Sequence, residues 1–102
     1  QAPRDDRWLR HGALTVDLER FSATVEARAL ELTPTEFGLL ATLMRTPHKA
    51  FTREELLERC LPESEALARV VDTHLHNLRR KLEAAGLPGV PVTVRAIGYR
   101  FS

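Results

Sequence analysis

The residues best placed to do chemistry lie between Arg69 and Leu82, in the run Arg-Val-Val-Asp-Thr-His-Leu-His-Asn-Leu-Arg-Arg-Lys-Leu. Wound at about 100° per residue, Val71, Leu75, Leu78 and Leu82 fall on one narrow apolar stripe. The opposite face then carries Arg69, Thr73, His76, Asn77 and Arg80, with no carboxylate among them. Amide and guanidinium groups read base edges and hold phosphates. A helix that docks by one face and offers these donors on the other is therefore a candidate to lie in a DNA major groove. The plainer alternative is an outer face that is charged only because it is solvated.

Two features of the same chain favour the first reading. From Arg69 onward there are six Lys/Arg against two Asp/Glu, and before it nine against twelve, so a net charge of +1 conceals halves of +4 and −3. Local field, not net charge, attracts phosphate. After the helix, Gly86-Leu87-Pro88-Gly89 reads as a stop and turn, and Val92 to Phe101 as a hairpin with Arg95 near its tip. A helix followed by a basic hairpin has the outline of a winged helix.

Other chemistries find little support. The candidates for metal or nucleophilic work are His11, His48, His74, His76 and Cys60, and none forms a ligand pair at zinc-finger spacing. His74 and His76, two apart on a helix, diverge. No Gly-rich phosphate loop follows a strand, and no serine elbow is present. The chain reads as a non-enzyme without cofactor or metal.

The elements that must position the basic helix can be taken in order. With 102 residues and 43% hydrophobic content, one modest core and one domain are expected. No apolar run approaches the roughly 20 residues of a membrane span, and no signal-peptide pattern is present, which makes a cytoplasmic protein the expectation. A single cysteine fits a reducing compartment. Residues 1–7 read as a linker remnant and residues 8–102 as the domain. Leu14, Val16 and Leu18 alternate with Thr15 and Asp17, and Ser22 to Glu26 and Ala29 to Leu32 follow as further strands of a small antiparallel meander. Thr33-Pro34-Thr35-Glu36 is a capping box with Pro at the first helical position, opening a helix that buries Phe37, Leu40, Ala41 and Met44 and ends before Pro47. Thr52-Arg53-Glu54-Glu55 repeats the device for a short helix with Leu56, Leu57 and Cys60 inward. The acidic stretch 61–68 reads as a connector or an interaction loop.

Taken together, the words Leu32-Thr33-Pro34-Thr35-Glu36-Phe37, Thr52-Arg53-Glu54-Glu55-Leu56-Leu57, Arg69-Val70-Val71-Asp72-Thr73-His74-Leu75, Leu78-Arg79-Arg80-Lys81-Leu82 and Thr93-Val94-Arg95-Ala96-Ile97-Gly98-Tyr99-Arg100-Phe101 occur in order and at compatible spacing. The sequence resembles the winged-helix DNA-binding domain of OmpR/PhoB-type response regulators. The resemblance implies an α+β winged helix-turn-helix: an N-terminal antiparallel meander, three helices and a C-terminal β-hairpin wing. Its recognition helix would span about 69–83. By the same resemblance Val70, Thr73, His76 and Asn77 meet bases or the groove wall, and Arg95 enters the minor groove. Arg69, His74, Arg79, Thr93 and Tyr99 fall at phosphate-gripping positions, and Arg80 joins them from the exposed face. Asp72 reads as a local ion-pair or capping partner. Asn77 stands where many members carry arginine, and Ala96 where a wing glycine is common.

The resemblance further implies double-stranded DNA with direct-repeat sites as the partner, RNA polymerase through the loop 61–68, and an N-terminal receiver domain with its sensor kinase, neither found in these residues. Leu61-Pro62 replaces a frequent Trp-Gly at the start of that loop. The competing reading is a winged helix used as a protein-interaction module. Positive charge on helix and hairpin together argues against it.

Overall fold

The computed structural model describes residues 7–60 and 69–102. The linker reading of residues 1–6 and the loop proposed at 61–68 lie outside the described residues. The alternating segments form strands β1 (Trp8–His11), β2 (Leu14–Asp17), β3 (Ser22–Val25) and β4 (Arg28–Ala29), an antiparallel meander in chain order. Leu14 pairs with Val25 and Val16 with Ala23, so these four apolar side chains share the buried face.

The link between β3 and β4 is a two-residue turn in which Glu26 and Ala27 both have positive φ, 50° and 68°. That is the backbone of the primed turns that match strand twist, here formed without glycine. β4 ends at Ala29, shorter than the strand expected to run to Leu32. Leu30 and Leu32 instead pack against the core as the chain leaves the sheet to reach the helix cap at Thr33.

Arg7, assigned above to the linker, is held by the sheet. Its Nε and Nη2 donate to the two carboxylate oxygens of Asp17, each at 2.9 Å. Asp17 also accepts the backbone N–H groups of Glu19 and Arg20. The guanidinium of Arg7 is the largest influence drawing the Asp17 carboxyl down to about 2.

Helix α1 (Pro34–Arg45) opens on the expected capping box: Thr33 Oγ1 accepts from Glu36 N at 3.1 Å, and Glu36 Oε1 accepts from Thr33 N at 3.0 Å. Thr52 and Glu55 repeat the exchange at the start of α2 (Arg53–Cys60). Helix α3 (Arg69–Ala84) buries Val71, Leu75, Leu78 and Leu82 completely. It ends in a Schellman motif. Gly86 has φ +96°, its N–H reaches Glu83 O, and Leu87 N reaches Leu82 O at 2.9 Å. The core gathers the stripe of α3, Leu39, Leu40 and Leu43 of α1, Leu56 of α2 and the buried face of the meander into one cluster.

A second sheet closes the molecule. Strands β5 (Phe51–Thr52), β6 (Val92–Val94) and β7 (Gly98–Arg100) pair in the order β5-β7-β6. β5 is two residues long, an element that the sequence pattern does not announce. It places Phe51 opposite Tyr99 and Thr52 opposite Gly98, fastening the hairpin to the start of α2. Gly98 is required by contact: a Cβ there would stand 2.0 Å from the Phe51 carbonyl oxygen. The architecture is the α+β winged helix that the sequence pattern implied.

Candidate nucleic-acid interface

The surroundings of α3 divide it into four sides. Its inner stripe is the core. Asp72 and Arg79, seven positions apart and so nearly superimposed at about 100° per residue, lie on one flank and meet the hairpin. On the other flank lie Val70, His74 and Lys81. Lys81 Nζ donates to Glu36 Oε1 at 2.6 Å and to Glu31 O at 2.7 Å, tying α3 to the start of α1. Burial pushes the Glu36 carboxyl up, but bonds from Lys81 and the Thr33 N–H outweigh it and hold it below the usual range.

The fourth side is open. Arg69, Thr73, His76 and Arg80 are exposed, and Asn77 is half-buried beside Arg80 and Lys81 near the mouth of α1. Among the described residues none of these five makes a side-chain hydrogen bond or ion pair. Their donors face solvent with the carboxylates of α3 elsewhere, Asp72 on the wing flank and Glu83 in the last turn. Val70 and His74 are half-buried at the edge of this face.

The hairpin stands along the opposite edge. Its turn places Arg95, Ala96 and Ile97 in solvent, with Ile97 N bonded to Val94 O at 3.0 Å. Ala96 adopts the left-handed conformation, φ +66°, so the tight turn forms without the glycine that is common there. Arg95 has no partner within the protein among the described residues.

Three of the expected phosphate ligands are engaged with one another or with the scaffold. Arg79 Nε and Nη2 donate to Pro91 O at 3.0 and 2.9 Å, and Nη2 also donates to Thr93 Oγ1 at 2.9 Å. Tyr99 is 7% exposed and its hydroxyl donates to Asp72 Oδ1. Asp72 is thus the local ion-pair partner expected, because Arg53 Nε reaches the same oxygen at 2.7 Å. Arg53 is the residue that inspection of α3 alone missed. It sits at the first position of α2, 19 positions before Asp72, too far along the chain for a local pattern to show the pairing.

Comparison with known proteins follows the same outline. Residues 27–101 match the family described as "Transcriptional regulatory protein, C terminal". The chain belongs to that family. Among curated relatives of this transcriptional regulatory C-terminal domain is the transcriptional regulatory protein BaeR of Escherichia coli O6:H1, 41% identical over 92 residues, which cover 86% of the chain and 38% of BaeR. The domain spans about two-fifths of the length of the curated relatives it matches. Among solved structures, the DNA-binding domain of the response regulator AdeR in complex with an intercistronic region superposes with a TM-score of 0.84 at 36% identity, covering 91% of this chain and 96% of that one. The Klebsiella pneumoniae RstA DNA-binding domain in complex with the RstA box gives 0.82 at 26%, covering 94% and 97%. The kinship with OmpR/PhoB-type effector domains, and the winged-helix fold it implied, both stand.

Proposed function

We propose that this domain binds double-stranded DNA sequence-specifically as the effector of a two-component response regulator, with α3 in the major groove and Arg95 in the adjacent minor groove. The observation that carries this reading is the open side of α3: five donor or cationic side chains, unpaired among the described residues, on a helix whose other three sides are committed to packing. Thr73, His76 and Asn77 read bases, and Val70 contributes an apolar contact to the groove wall. Arg69, His74 and Arg80 hold phosphates, joined by Thr93 from the hairpin. AdeR and RstA domains of the same shape are bound to DNA in their crystals, which supports the reading.

The reading extends to a cytoplasmic phosphorelay. A receiver domain and its sensor kinase would control pairing of two copies on direct repeats, and residues 61–68 would meet RNA polymerase. No described helix is long and apolar enough to cross a membrane. Selection of bound sites from random duplex at fixed salt, followed by anisotropy titration, tests the proposal. Recovery of a defined motif, bound more tightly than its scrambled form, is the expected result. Equal affinity for both would reject sequence-specific binding.

A further inference from the structure

The hairpin is joined to α3 at two points on one flank. Asp72 receives Tyr99 of β7, and Arg79, seven residues and so about 10 Å further along the helix, reaches Pro91 and Thr93 at the start of β6. One link fixes a position; two, on different strands, fix a tilt. Arg79 suits the second task because its guanidinium is a planar fork. Two nitrogens on one carbonyl oxygen and one shared with a hydroxyl define an angle as well as a distance, which the single ammonium of a lysine cannot do.

Resting on the DNA-binding reading above, we infer that Arg79 is a positioning residue for the wing. It sets the angle at which Arg95 stands relative to the open face of α3, and hence whether one duplex can meet both. Arg79 is half-buried with its guanidinium bonded to the hairpin, whereas Arg69 and Arg80 on the same helix are exposed. Contact with a narrow, A·T-flanked minor groove is the part of binding that depends on this angle.

The test compares wild type, Arg79→Ala, Arg79→Lys and Arg95→Ala on a selected site flanked by A·T or by G·C pairs. Thermal melts report folding. Wild type prefers the A·T flank, and Arg95→Ala abolishes the preference. Arg79→Ala abolishes it too, and so does Arg79→Lys, which keeps the charge and loses the fork. Retained flank preference in Arg79→Ala or Arg79→Lys would overturn the inference. Should Arg79→Ala fail to fold, Arg79→Lys decides the matter by the same preference. Wild type with no flank preference would instead strike the minor-groove contact itself, an outcome distinct from a preference that survives loss of Arg79.

Discussion

The hydroxyl of Tyr99 donates to Oδ1 of Asp72 at 2.5 Å, and through that one oxygen the last strand of the hairpin, the middle helix and the exposed helix are joined. Burial pushes the Asp72 carboxyl up, but the bonds from Tyr99 and Arg53 more than reverse this and leave it below the ordinary carboxylate range. Tyr99→Phe keeps the buried ring and removes the first of those bonds. The Asp72 carboxyl should then titrate at a higher pH in the variant, as followed by carboxyl-carbon NMR. An unchanged titration would show that the hydroxyl contributes nothing to the charge on Asp72.

Acid should loosen the meander through Asp17. Its folded value, about 2, lies below the ordinary 3.8, so the stabilisation is fully present above about pH 4 and is lost as pH falls toward 2. Asp17→Asn, which cannot ionise, should be less stable than wild type at pH 6, with the gap between their melting temperatures closing between pH 4 and 2. A gap that is constant with pH would contradict the Arg7–Asp17 pairing.

Two substitutions on the open face of α3 should part company. Arg69→Ala should weaken binding to every duplex and lower the salt slope by about 0.9. Asn77→Ala should leave non-specific affinity nearly intact and relax one base position, an adenine by the chemistry of the amide, with a loss of about 1–3 kcal/mol on the cognate site. Binding isotherms on cognate and scrambled duplexes distinguish the two. Equal losses for Asn77→Ala on both would remove it from base reading.

The hairpin carries a residue that must be glycine and one that would gain from being glycine. Gly98→Ala sets a methyl 2.0 Å from the Phe51 carbonyl oxygen, a clash with backbone that should cost about 3 kcal/mol and unfasten β5 from β7. Ala96→Gly relieves the left-handed strain at φ +66° and should stabilise by about 1 kcal/mol after the greater freedom of glycine in the unfolded chain is counted. Thermal unfolding shifts of opposite sign are expected; shifts of the same sign would contradict the geometry.

Much of this fold was legible because local rules suffice for it. Thr33 with Glu36, the 3.6-residue recurrence of Val71, Leu75, Leu78 and Leu82, and Gly86 past the end of α3 each announce an element from a few neighbouring residues. The open face could be read by the same recurrence, since whatever lies opposite a buried stripe is exposed. Strand β5 could not, because two residues show no alternation and their partner lies about 47 positions away. Nor could the occupation of Arg79 and Tyr99, which depends on where the hairpin packs. The resemblance puts both at phosphate-gripping positions, and their bonds to Pro91 and Asp72 become visible only in the folded molecule.

The most direct measurement is an NMR titration of the isotope-labelled domain with a selected duplex. Shift changes should concentrate at residues 69–80 and 93–97, with the meander β1 to β4 little affected. Changes confined to the meander and α1, with the open face of α3 silent, would contradict the account at its centre.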